Sequence, residues 1–303
     1  MTKKKRKPTT VSLVLGSGGA RGFAHIGVIQ ELEARGYAIQ AIAGSSMGAL
    51  VGGIYAAGKL QVYTDWVTGL GQADVVSLLD WTLSPGGLFQ GQKLMAKLRD
   101  LIGEWDIEDL PYDYTAVAVD IEKEREVWIT RGPLFDAIRA SIAIPAVFTP
   151  HRYHGRLLVD GGLLNPLPVA PTLSTLTDIT VVVDVNGPAT DKAPLQARGE
   201  APSAELRLMQ RIRGYMSGLT NGGGSEASLG LSEVLMRTLD VMQGSISRQQ
   251  LAVFRPDLVI RVPKNVCMVH EFHRAEPVIE LGRRIAGHML DEHGHERRSA
   301  RML

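Results

Sequence analysis

Two short segments, far apart in the chain, carry residue types suited to acyl transfer: Gly44-Ser45-Ser46-Met47-Gly48 and Asp160-Gly161-Gly162. The first is a G-x-S-x-G nucleophile elbow, a pattern that holds a serine on a strained strand-to-helix turn with its hydroxyl presented. Gly44 and Gly48 suit it because so sharp a turn leaves no room for Cβ atoms. Ser45 is the rival nucleophile, but only Ser46 has glycines at both −2 and +2. Upstream, Gly16-Ser17-Gly18-Gly19-Ala20-Arg21-Gly22 lies between a strand-like run and a helix-like one. Consecutive backbone N–H groups at a helix N-terminus stabilise negative charge, so this loop is where an oxyanion hole would be built. A dinucleotide fingerprint would need glycine where Arg21 stands, and no Gly-Lys-Ser/Thr follows to make a phosphate loop. Nucleophile, acid and anion cradle together read as a serine acyl hydrolase.

The usual activator of such a serine is a histidine backed by an acid. His270 or His273 could serve nominally in the chain order of the α/β-hydrolases. Against that, the elbow arrives at residue 46, after only the second strand. Asp160 is the better-framed partner, because Gly161 and Gly162 let the backbone bend and let another segment approach closely. A lone carboxylate can act as the base if partial desolvation raises its pKa toward working pH. His270-Glu271-Phe272-His273 imitates a zinc motif, but its histidines stand one residue short of the H-E-x-x-H spacing, so no metal is expected. His25 is expected to pack or hydrogen-bond on its helix, and the single cysteine, Cys267, to be a small packed hydrophobe.

These groups need a scaffold, and the pattern of the chain supplies one. Strand-like runs occur at 11–15, 38–43, 115–121, 126–130, 179–185 and 258–262. Helix-like runs follow Phe23 and occur at 49–57, 92–102, 204–216, 231–250 and 276–290. Segment 152–159, with His154-Gly155 at its centre, reads as a hairpin delivering Asp160. Val181-Val182-Val183 is apolar on successive positions, as in a strand covered on both faces. Alternation of strands and helices predicts an α/β fold of three layers, a mostly parallel central sheet flanked by helices. A single domain is expected over 11–292, between a basic flexible N-terminus (1–10) and a flexible tail (293–303). Segments 187–202 and 217–228 read as mobile loops, and 78–89 as either the lining of an apolar cleft or a buried connector.

At 303 residues, with 45% hydrophobic and 21% charged, the chain can bury a large core without disulfides or metal. A net charge of +1 gives no global field for nucleic acid. Charge is instead gathered at the ends, in Lys3-Lys4-Lys5-Arg6-Lys7 and in Arg297, Arg298 and Arg301. Such runs are ordinarily solvated; the sharper reading is peripheral contact with an anionic membrane, worth about 1 kcal/mol per basic residue. No run approaches the ~20 apolar residues of a membrane span, and cytoplasmic residence is the default expectation.

The succession Gly16-x-Gly18-Gly19-x-Arg21-Gly22, Gly44-x-Ser46-x-Gly48 and Asp160-Gly161-Gly162 resembles the patatin-like phospholipases. It is most similar to bacterial single-domain members related to the catalytic domain of neuropathy target esterase. Segments 24–28 and 140–148 are similar to further blocks of that family, and the resemblance is strong over 11–185. It implies a patatin-like fold and a Ser46–Asp160 dyad, with the amides of Gly18, Gly19 and Ala20 as oxyanion hole. Gly16, Arg21, Gly44, Gly48, Gly161 and Gly162 would support them. The implied activity is hydrolysis of phospholipid or lysophospholipid acyl esters through an acyl-enzyme, with no cofactor. Arg21 would pin the loop through carbonyl groups, the alternative being contact with a lipid phosphate. Ser17 departs from the glycine of many plant members and should be tolerated. Two other functions fit the residues: a general short-chain esterase or thioesterase using the same dyad, and a non-catalytic lipid-binding regulator.

Overall fold

The computed structural model describes residues 7–82, 87–191 and 231–300. Two strand–turn–helix units open the chain. β1 (Thr10–Leu15) leads through a 3-10 turn at Gly19–Phe23 into α1 (Ala24–Ala34), and β2 (Ala38–Ser45) leads directly into α2 (Met47–Ala56). Next come α3 (Leu60–Thr68), α4 (Gln72–Ser77), β3 (Gly87–Phe89), α5 (Gln92–Ile102), β4 (Asp113–Asp120) and β5 (Arg125–Ile129). They are followed by α6 (Leu134–Ser141), β6 (Ala146–Phe148), β7 (His151–Tyr153) and β8 (Arg156–Asp160). The last elements are β9 (Ile179–Gly187), α7 (Leu231–Phe254), β10 (Leu258–Pro263) and α8 (Ala275–Ala300).

The main sheet runs β10-β9-β1-β2-β4-β8-β7, with β5 also on β4. Its first five strands are mutually parallel, whereas β5, β8 and β7 join antiparallel. Helices cover both faces, which explains the unbroken valines of β9. Val181 and Val183 enter the larger core with Leu13 and Leu15 of β1, Ile26 of α1, Ile54 of α2, Ile138 of α6 and Val278 of α8. Val182, one residue out of phase, joins Val14, Leu167 and Val169 on the other face, where Leu251 and Phe254 of α7 pack. Period-2 alternation therefore sends successive valines into two cores, the signature of a middle layer. All ten residues of α2 are buried, so its small residues let it lie flat against the sheet.

Regular structure reaches slightly past the expected domain boundaries. Pairing begins at Thr10, whose amide and hydroxyl both donate to Asp178 Oδ2. The C-terminal helix continues past 292 to Ala300. The expected helix at 204–216, the loop 217–228, most of 187–202 and the basic run Lys3 to Arg6 lie outside the described residues. Among the described residues, no helix is long and apolar enough to cross a membrane.

Candidate active site

The nucleophile's position is set where β2 stops. β2 pairs with β4 up to Ser45 opposite Val117; the next residue, Ser46, has φ 55° and ψ −122°. Such a conformation costs about 1–3 kcal/mol in a residue with a Cβ and persists only when its surroundings over-determine it. Here they do. The Ser46 carbonyl accepts from the amides of Ala49 (3.0 Å) and Leu50 (3.1 Å), and its own N–H donates to Ser141 Oγ at 2.9 Å. The flanking glycines make the turn sterically feasible. A Cβ on Gly48 would lie 2.0 Å from the Leu15 carbonyl oxygen, and one on Gly44 would lie 2.4 Å from that of Gly48.

Delivery of the acid follows from sheet topology. β5 occupies one edge of β4 over 116–120. On the other edge β2 covers β4 as far as Val117, and β8 enters antiparallel from the opposite end, with Asp160 opposite Ala118. Two strands of opposite direction thus abut on neighbouring residues of one template, bringing Ser46 and Asp160 to the same point. The junction is tight enough to demand glycine after the acid: a Cβ on Gly161 would lie 2.1 Å from the Val117 carbonyl oxygen and 2.7 Å from Ser45 Oγ. The expected hairpin is present, with φ positive at both His154 (47°) and Gly155 (74°), as a type I′ turn requires.

Ser46 and Asp160 are each only 3% exposed. Burial pushes the Asp160 pKa up to about 7, against the opposing pull of the Ser46 hydroxyl and the Gly162 amide. Asp160 Oδ1 accepts from Gly162 N–H at 2.7 Å. The Ser46 hydroxyl faces the carboxyl and favours its charged form, but the contact stops short of a well-formed hydrogen bond, and Oδ2 has no partner among the described residues. A base that is half-ionised near neutrality, with a free oxygen beside a hydroxyl, is suited to taking that proton.

The glycine loop is held from several sides. Gly16 N–H donates to Val183 O at 3.0 Å and Ser17 N–H to Pro166 O at 2.9 Å. Arg21 Nε donates to Gly18 O and its Nη2 to Asp240 Oδ1, each at 3.3 Å, so the guanidinium pins the loop through a carbonyl as expected. His25 is fully buried, and burial lowers its pKa to about 4. It is therefore neutral, and Nε2–H donates to Gly16 O at 2.8 Å; this imidazole holds the loop and is no base. One expectation needs correction. Ala20 N–H, expected in the anion cradle, instead donates to Val269 O at 2.9 Å, whereas Gly18 and Gly19 line the cleft with Ser46.

Two lobes of one cleft meet at Ser46. The first, of about 790 Å³ and open to solvent, is walled by Tyr63, Trp66, Val67, Leu70, Leu78, Leu79, Leu94 and Ile142. Segment 78–89 therefore contributes Leu78 and Leu79 to an apolar wall. The second lobe, of about 850 Å³, contains Asp160 together with Ser17, Arg21, Asp240, Gln243 and His270. Gly19, Ile144, Phe148 and Phe272 border both. His270 thus borders the second lobe with Asp160, while His273 Nε2 meets Gln72 Nε2 at 3.4 Å. Among the described residues, no group of three His, Cys, Asp or Glu side chains could hold a metal ion. Cys267 is buried, and burial pushes its thiol up to about 11. Ser141 and Asp240 escaped the sequence reading; Ser141 stands 95 residues from the serine it touches, and no spacing rule reaches that far.

The family model described as patatin-like phospholipase matches residues 13–173, more than half of the chain. Uncharacterised NTE family proteins of Mycobacterium tuberculosis and Mycobacterium bovis are each 40% identical, over 93% of this chain and 91% of their own length. Lysophospholipase nte1 of Neurospora crassa is 31% identical over 69% of this chain and 14% of its own. Among solved structures, VipD from Legionella pneumophila aligns over 94% of this chain and 67% of its own, with a TM-score of 0.47 and 14% identity.

Proposed function

The chain belongs to the patatin-like phospholipase family, and we propose that it hydrolyses acyl esters of phospholipids or lysophospholipids with Ser46 and Asp160 as its dyad. Family membership supports lipid acyl hydrolase activity; the finer reading rests on the site. The observation that carries it is the meeting of a strained serine, a desolvated carboxyl and an apolar lobe at one point. The apolar lining beside Ser46, from Tyr63 to Leu94 and Ile142, favours a lipid acyl chain over a small polar ester.

In the proposed cycle the acyl chain lies in the first lobe and the leaving alcohol in the second, beside Asp160, Arg21 and Gln243. Ser46 Oγ attacks the ester carbonyl while Asp160 takes its proton. The amides of Gly18 and Gly19 are the loop donors available to the oxyanion, a contribution typically worth about 100- to 1,000-fold in rate per donor. Collapse expels the alkoxide, which receives the proton from Asp160, and leaves Ser46 acylated. Water then enters, gives its proton to the same carboxylate and attacks the acyl carbon; collapse releases the fatty acid as Ser46 Oγ recovers the proton.

The test is fatty-acid release from a panel of phospholipids, lysophospholipids and p-nitrophenyl esters, with Ser46→Ala in parallel. Long-chain lipid turnover that vanishes in the variant is the expected result. Turnover confined to short esters would move the assignment to a general esterase, and none dependent on Ser46 would overturn the hydrolase reading.

A further inference from the structure

The end of α6 and the residues leading into β6 touch both Ser46 and Asp160. Ser141 Oγ accepts the Ser46 amide proton at 2.9 Å and donates its own to the Val117 carbonyl at 2.6 Å. Two residues on, the Ala143 carbonyl accepts from Asp160 N–H at 2.9 Å. Ser141 has no exposed surface, so its hydroxyl is limited to these protein partners. Val117 is the last β4 residue paired with β2, and its neighbour Ala118 is the one that faces Asp160. One hydroxyl therefore ties the strained elbow to the strand position from which the acid is also measured.

We infer that Ser141 is a positioning residue for the nucleophile: its hydroxyl fixes the Ser46 backbone relative to Asp160, and without it the serine and its base lose their alignment. This rests on the dyad reading above. The Ser46 amide has no alternative acceptor in a continued strand ladder, because β2 has ended, and none within α2, because it precedes the first helical turn. Loss of the hydroxyl leaves a buried donor and a buried acceptor unpaired on opposite sides of the gap. The elbow then relaxes from its strained φ, carrying Oγ away from the carboxyl, and a misplacement of about 1 Å can cost about 100-fold in rate. The neighbouring side chains Ile142 and Ile144 line the apolar lobe, so the segment also links the wall that grips the acyl chain to the groups that react with it.

The experiment compares Ser141→Ala, Ser141→Cys and Ser141→Thr with the wild type in the full chain. It follows kcat and KM on a lysophospholipid, fluorophosphonate labelling of Ser46, and the pH at which activity is half-maximal on the acid side. For Ser141→Ala we expect kcat to fall about 100-fold with KM within twofold, and labelling to slow in parallel. The acid limb should move to higher pH, because the Ser46 hydroxyl no longer helps hold Asp160 charged. Ser141→Thr keeps the hydroxyl and should recover most of the rate. Should the alanine variant not fold, the near-isosteric Ser141→Cys, with its weak thiol donor, should show the same changes in smaller measure. A folded Ser141→Ala or Ser141→Cys with wild-type kcat and an unmoved limb would overturn the inference, as would a folded Ser141→Thr no better than alanine. If the wild type itself shows no Ser46-dependent turnover or labelling, the dyad reading fails instead, so the two failures are distinguishable.

Discussion

The two halves of the proposed dyad, Ser46 and Asp160, are built in opposite ways. The nucleophile is a local device: Gly44, Ser46 and Gly48 fall within five residues, and the atoms that forbid side chains at the glycines belong to the adjoining turn and to the end of β1. The acid is a product of long-range assembly. Its position comes from β4, which begins 47 residues upstream of it, and its raised pKa comes from burial by elements scattered along the chain. A local device can be recognised from types and spacing, and it fails sterically. A burial-tuned acid leaves no pattern in sequence beyond its glycines, and it fails electrostatically. The pair teaches that half of this chemistry is a motif and half is an environment.

The largest effect should come from breaking the local half. Gly48→Ala sets a Cβ 2.0 Å from the backbone oxygen of Leu15, with no flexible side chain to yield. A destabilisation of about 3 kcal/mol or more is expected, read as a fallen Tm together with loss of fluorophosphonate labelling at Ser46. A stable, normally labelled variant would show that the turn is not as constrained as its geometry implies.

Breaking the environmental half should spare the fold. Asp160→Asn is expected to cut kcat about 1,000-fold, while wild-type activity should rise with pH along a limb centred near 7 as the base ionises. The stability consequence has a definite sign. Because the folded pKa lies above the ordinary value of 3.8, the folded state holds a proton that the unfolded chain has released. The stability this confers is fully present below pH 3.8 and is lost as pH rises through about 7, a total of roughly 4 kcal/mol. Asparagine carries no charge to bury, so the variant's Tm should gain on the wild type by several degrees between pH 5 and pH 8. Thermal melts that stay parallel over that range would refute the buried-base picture.

The smallest effect separates sequence distance from burial. The Arg21–Asp240 pair spans 219 residues, more than any link to Asp160, yet the Asp240 side chain is 53% exposed. Asp240→Asn should therefore change stability by less than about 1 kcal/mol, measured as Tm at low and high salt. A large, salt-insensitive loss would mean that long-range contacts matter here even when solvated.

The glycine loop illustrates how far types and spacing go. They indicated an anion cradle at 16–22 and a pinning role for Arg21, and Arg21 does donate to the Gly18 carbonyl. They could not show that Ala20 N–H is spent on Val269, because that acceptor lies 249 residues away and reaches the loop only through folding. The valines of β9 were legible as a doubly covered strand for the reason that periodicity survives any choice of partner. Ser141 was not, because nothing distinguishes a serine that will bridge two strands from one that caps a helix.

What this sequence determined unaided was therefore everything set by short-range sterics and periodicity. That includes the elbow, the glycine loop, the hairpin turn at His154-Gly155 and the layered α/β order of strands and helices. Tertiary structure alone decided which strand ends abut on β4, how deeply Asp160 is desolvated, that the Ala20 amide is engaged, and where the two lobes of the cleft meet. The division has a physical cause: backbone geometry is governed by neighbours within a few residues, whereas solvation and proton affinity depend on atoms brought near by the whole fold.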